Sequence, residues 1–137
     1  MNTIQKGVIA EQKVILRAIE LGYKVSKPLC DTRYDLILDD GKSLKRVQVK
    51  YGDGDPRSSE GSIVVGLRCR SYEKNRNDRT STYSTSDVDD IMVYIPKKDV
   101  VVRLPQEAIG KTAVHLRFEP SKNKQIKGVH LIDELTW

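Results

Sequence analysis

Cysteine and histidine are scarce: two of each in 137 residues, Cys30, Cys69, His115 and His130. The cysteines lie far apart with no CxxC spacing and no neighbouring histidine. A zinc site or a disulfide framework is therefore not expected, and both read as reduced thiols. The histidines lack companions at ligand spacing and read as structural. Long apolar runs are also missing, and nothing approaches the ~20 residues of a membrane span. Lys6 and Glu11 interrupt the start and no apolar h-region follows, so no signal peptide is expected and the cytoplasm is the expected location. Neither a repeat nor a low-complexity tract occurs.

What is present is a globular composition, 38% hydrophobic and 31% charged. The length suits one domain, 1–137, with one core. A net charge of +5 and a pI of about 9.2 favour a polyanionic partner.

Tyr34 to Leu38 and Leu44 to Lys50 flank an Asp39-Asp40-Gly41-Lys42 break, which predicts two strands joined by a tight turn. A two-residue loop pairs Asp35 with Arg46, and a four-residue loop pairs it with Gln48. Either register puts Asp35, Gln48 and Lys50 on one face and Leu36, Leu38, Val47 and Val49 on the other.

Thr3 to about Leu21 reads as a helix, ended by Gly22. Ile4, Val8, Ile15, Ala18 and Ile19 form an apolar stripe expected to face the core, with Lys6, Lys13, Arg17 and Glu20 opposite. Glu11 falls inside that stripe, where an unpartnered carboxylate is costly. It either pairs with a lysine at the stripe's edge or converges with Asp35 on one metal ion, with Lys50 beside them.

Tyr23 to Ser26, Ser62 to Arg68 and Ala113 to Phe118 read as further strands, and Tyr51 to Gly61 as a loop. Ile91 to Ile95 has the continuous apolar character of a buried central strand, and Asp99 to Leu104 completes a hairpin with it. Pro105 opens a brief helical turn. Arg70 to Ser86 is polar and without apolar period. A basic tail around 120–128 precedes a short docking helix within Val129 to Trp137.

Two carboxylates from separate elements suit a hard divalent cation such as Mg2+ (or Mn2+), and the Val49 carbonyl is a candidate third ligand. Lys50 would orient or help deprotonate water, or offset charge on a phosphate. Phosphodiester hydrolysis needs those parts.

The order helix-Glu11, strand-Asp35, hairpin, then Gln48-Val49-Lys50 resembles the PD-(D/E)xK nuclease superfamily. Glu11 resembles its helical acid, Asp35 its motif aspartate, Gln48 its second acid position and Lys50 its lysine. The wording Gly7-x-x-x-Glu11, Arg33-Tyr34-Asp35-Leu36, Gln48-Val49-Lys50 and Asp87-Val88-Asp89-Asp90-Ile91 is most similar to a branch containing a cyanobacterial homing endonuclease encoded in a transfer-RNA intron. The resemblance runs from about Asn2 to Pro105. One departure is Gln48, where the superfamily usually has Asp or Glu; an amide adds no charge, so metal affinity should be weaker.

The resemblance implies an α/β fold, a restriction-endonuclease-like mixed sheet flanked by helices. It also implies a Mg2+-dependent, site-specific double-strand DNA endonuclease of the homing type. Arg68, Arg70, Lys74, Arg76, Arg79 and Tyr83 would then form the DNA surface, the arginines contacting phosphates or guanine edges. Cutting both strands needs at least a homodimer, with a tetramer suggested by the homing relative and a pseudo-palindromic target by two-fold symmetry. Three other readings compete: a Holliday-junction-resolving nuclease, a DNA-binding module that has lost catalysis, and an RNA-processing nuclease.

Overall fold

A computed structural model describes residues 1–54, 61–70, 80–120 and 130–137. Helix α1 spans Thr3–Glu20. Strands β1 (Lys24–Ser26), β2 (Leu36–Asp39) and β3 (Leu44–Tyr51) follow, then β4 (Ser62–Gly66), β5 (Arg68–Arg70) and β6 (Thr80–Thr82). The chain continues through β7 (Asp90–Ile95), β8 (Val100–Arg103), a 3-10 turn at Gln106–Ala108 and β9 (Ala113–Arg117). It ends with β10 (His130–Leu131) and α2 (Ile132–Leu135).

The main sheet has the order β1-β2-β3-β7-β8, with β3 and β7 parallel and the other neighbours antiparallel. A second sheet, β10-β9-β4, and the β5–β6 ladder complete the fold. All six residues of β7 are buried because both of its faces are covered. Met92 and Tyr94 point into the layer under α1, and Ile91, Val93 and Ile95 into the larger core shared with β4, β9 and α2. Gly52, just past β3, lets the backbone approach that core. A Cβ there would lie 2.7 Å from Val93 Cγ1 and 2.8 Å from Ile95 Cδ1.

Helix α1 starts with a capping box, in which Asn2 and Gln5 exchange side-chain bonds to each other's backbone N–H. It stops at Leu21, with Gly22 at φ 90°. The expected stripe is buried only in part. Its Ala18 is fully buried, with Ala10 and Val14 from outside the stripe, and its Ile15 is half-buried, whereas Ile4, Val8 and Ile19 are more than half exposed. The small residues win because they let the helix lie close on Leu36, Val47 and Val49. The basic residues flank this contact: Lys6 pairs with Asp53, Lys13 with Asp99 at 2.8 Å, and Arg17 Nε donates to the Trp137 carbonyl at 2.8 Å.

The segment from Arg70 onward, read as polar and without period, contributes ladder residues at both ends: Arg68, Cys69 and Arg70 pair with Thr82, Ser81 and Thr80. Most of the basic tail lies outside the described residues.

Candidate active site

The β2–β3 hairpin takes the four-residue loop. Asp39 pairs with Leu44, and the Asp40 carboxylate accepts the N–H groups of Lys42 and Ser43, both at 2.8 Å. With Leu36 opposite Val47, Asp35 stands opposite Gln48 one step further on. Leu36 and Leu38 turn toward α1, so Asp35 lies on the other face with Gln48 and Lys50.

Asp35 ends the hairpin ladder with both main chain and side chain. Its N–H donates to the Val47 carbonyl at 2.9 Å, and its Oδ2 accepts the Val49 N–H at 2.9 Å. Burial raises its pKa above the ordinary aspartate value, and the negative charge of Glu11 adds to the rise. The Val49 N–H and the charges of Lys50 and Lys27 act in the opposite direction.

Glu11 reaches this place from α1, and its Oε2 accepts a hydrogen bond from Lys27 Nζ at 2.6 Å. The lysine pairing expected for Glu11 is present, and its negative charge also bears on Asp35. Lys27, two residues before Leu29 in a turn, carries no periodic or motif signal in the sequence.

Lys50 is half-buried. Its Nζ donates to the Arg68 carbonyl at 3.3 Å and lies 5.1 Å from the centre of the Tyr83 ring. Burial lowers its pKa below the usual lysine value. Tyr83, expected at a DNA-facing surface, is only 3% exposed and forms the floor beneath Lys50. Burial also raises the Tyr83 pKa, so the phenol stays neutral. Arg68 is exposed on β5, the backbone of Arg70 pairs in the same ladder, and Lys74, Arg76 and Arg79 lie outside the described residues.

Gln48 Nε2 donates to the Val49 carbonyl at 3.2 Å. That carbonyl lies beyond the β2 ladder, which ends at Leu36–Val47. Its second lone pair suits it to another partner. Among the described residues no three or more His, Cys, Asp or Glu side chains gather at a metal-binding distance. The donors on offer are two carboxylates and one carbonyl. They fit a hard divalent cation that keeps several waters, because all are oxygens and the charge of Glu11 adds to the cost of ionising Asp35.

The run Asp87 to Asp90 is structural. The Asp89 carboxylate accepts the Arg46 backbone N–H at 2.8 Å and two N–H groups of the Arg46 guanidinium, both at 3.2 Å. Asp90, 3% exposed, accepts Arg103 bidentately at 3.0 and 3.1 Å and Gln106 at 3.0 Å. Asp87 accepts the Ser84 N–H at 3.0 Å, and Arg33 stands 3.7 Å from its carboxylate.

The family model described as PD-(D/E)XK endonuclease matches residues 1–136. The chain belongs to the PD-(D/E)XK endonuclease family. Its fold, a mixed sheet with flanking helices, is also that of a solved bacterial homing endonuclease, I-Ssp6803I. The likeness has a TM-score of 0.76 and 28% sequence identity, and covers 93% of this chain and 86% of that one. Among curated proteins none matches the chain in sequence. Membership makes it a nuclease, and no described helix is long and apolar enough to cross a membrane.

Proposed function

We propose that this PD-(D/E)XK endonuclease is a Mg2+-dependent enzyme that cuts both strands of duplex DNA at a specific, pseudo-palindromic site, as a homo-oligomer of at least two chains. The observation that carries the reading is the electrostatic meeting of Glu11 and Asp35, from different elements, beside a half-buried Lys50. The similarity to a bacterial homing endonuclease supports site specificity and the homing type.

In this reading Glu11, Asp35 and the Val49 carbonyl hold the cation. Once bound, it supplies positive charge to the phosphate and acidity to a water. Lys50, held by the Arg68 carbonyl and the Tyr83 ring, presents its ammonium to a phosphate oxygen and offsets the charge gained in the transition state. Gln48 orients by hydrogen bonding and contributes no charge. Lys27 neutralises Glu11 while no cation is present. Exposed Arg68, and with it Arg70, Lys74, Arg76 and Arg79, supply the duplex contacts.

A second reading, a DNA-binding protein that has lost catalysis, draws on one observation: Lys27 and Gln48 already occupy Glu11 and the Val49 carbonyl. Plasmid DNA carrying candidate sites, incubated with the protein and Mg2+ or Mn2+, decides between them. Metal-dependent linearisation that Lys50→Ala reduces by about 10²- to 10⁴-fold is the expected result. Binding without cleavage by the unaltered chain would establish the second reading. Efficient cutting of four-way junctions with unrelated arms would replace site specificity with shape recognition.

A further inference from the structure

Glycine weakens a helix or strand, where it loses more backbone freedom than any other residue and has no side chain to pack. Among the described residues, most glycines have a visible reason. Gly22, Gly41, Gly54, Gly61 and Gly110 adopt φ between 84° and 101°, and Gly52 is pressed against Val93 and Ile95. Gly7 and Gly66 have neither reason. Gly7 is inside α1 and Gly66 closes β4, both are outside the positive-φ set, and a Cβ on either would find no packing neighbour within 4 Å. The fold requires a bare main chain at neither place.

Each of the two is tied to the active site, and through a different residue. Gly7 is four residues before Glu11, which sets them on one helix face about 6 Å apart along the axis. Ala10 and Val14 continue that face buried against the sheet, and at Gly7 it opens. Gly66 is two residues before Arg68, whose carbonyl accepts the Lys50 ammonium at 3.3 Å. Burial alternates from exposed Gly66 through buried Leu67 to exposed Arg68, so Gly66 and the Arg68 side chain share an outward side. Ala113, opposite Gly66 in the ladder, adds only a methyl. A phosphodiester cut beside Glu11 and Lys50 brings its own strand to both places, because successive phosphates follow every ~3.4 Å of duplex axis.

We propose that Gly7 and Gly66 receive the sugar-phosphate backbone of duplex DNA, each leaving room for a nucleotide that neighbours the scissile phosphate. A side chain at either position would stand in the path of that strand. Close approach of a ligand to the main chain is a use that glycine alone serves. The proposal rests on the nuclease reading and adds to it a contact that carries no charge and reads no base. Arg68, beside Gly66, supplies the positive charge that a phosphate strand takes.

Stability and binding should move in opposite directions, and that is the test. Gly7→Ala should melt about 3–5 °C above the parent, from helix propensity alone. Gly66→Val should melt no lower than the parent. A Lys50→Ala background keeps DNA intact while affinity for a labelled mixed-sequence duplex is read by fluorescence anisotropy with Mg2+. In that background Gly7→Ala and Gly66→Val should each bind about 10-fold more weakly, and Gly7→Leu more weakly still. Gln12→Leu, exposed on another side of α1, should bind as the parent does. Calorimetry without DNA should give one Mg2+ affinity for parent and variants. Undiminished duplex binding by Gly7→Leu or Gly66→Val would overturn the proposal. So would a loss of Mg2+ affinity large enough to account for the loss of DNA. Weakened binding in the glycine variants of a chain that never cleaves would leave the contact and overturn the catalytic reading. Cleavage and binding that both glycine substitutions leave unchanged would do the reverse.

Discussion

Asp35 carries an electrostatic cost that a cation would relieve. Its carboxylate is partly removed from water and faces the charge of Glu11, and one Val49 N–H repays part of this. Asp35→Asn keeps an oxygen for that N–H and removes the charge. The metal-free variant should therefore melt a few degrees higher than the unaltered protein. Its stabilisation by Mg2+ should vanish, and a thermal shift as large as the parent's would remove Asp35 from the ligand set. Lys27 competes for Glu11, so Lys27→Met should tighten Mg2+ binding several-fold by calorimetry, and weakened binding would show that Lys27 supports the cation. Gln48→Glu should tighten it as well, because a third carboxylate replaces a neutral amide. Of these residues Glu11, Asp35, Gln48 and Lys50 could be read from the sequence, three from strand alternation and one from its anomalous place in a helix. Lys27 could not, because its role depends on a turn that no periodicity describes.

The helix and the strand β7 show where pattern reading stops. Periodicity located α1 within a residue or two at each end. It set the buried face off centre, keeping Ala18 and Ile15 but including exposed Ile4, Val8 and Ile19, because large apolar side chains outweigh alanines in any hydropathy pattern while alanines allow the closer approach to a sheet. The buried character of β7 was plain from the five residues Ile91 to Ile95, but the acids before them read only as a motif. They are anchors. Asp89 is held below the usual carboxylate value chiefly by hydrogen bonding to the Arg46 side chain. A depressed folded value means that its stabilisation is present above the ordinary value of about 3.9 and is lost as pH falls through the lower one. Asp89→Asn should flatten the acid limb of a melting-temperature profile below about pH 4, and an unchanged limb would place the acid sensitivity elsewhere. At the far end of β3, Gly52→Ala would force a methyl into Val93 and Ile95. Its expected cost is about 1–3 kcal/mol in urea denaturation, typical of an overfilled core.

Across the whole molecule, the net charge of +5 bears on how a nuclease meets DNA. Binding to duplex DNA should weaken steeply with salt, with log affinity falling linearly against log salt as counterions return. A flat dependence would mean that few phosphates are contacted. The mixed sheet could be anticipated only through a family resemblance, since strand alternation states which residues face together but not which strand lies beside which. The parallel union of β3 with β7 is the case in point: nothing local announces that Val47 will lie beside Asp90.

That union also sets an order of events for the nascent chain. The β2–β3 hairpin closes over four residues, within the microsecond range for such turns. Its partner strand arrives only after everything between Tyr51 and Asp90 has been made, and loop closure over that span is slow. Until then β3 is an unpaired edge carrying valines, ready to pair with any other chain in the same state. Refolding yield should therefore fall as protein concentration rises, and the residues assembled earliest for chemistry are the ones most at risk of aggregation while the rest of the sheet catches up.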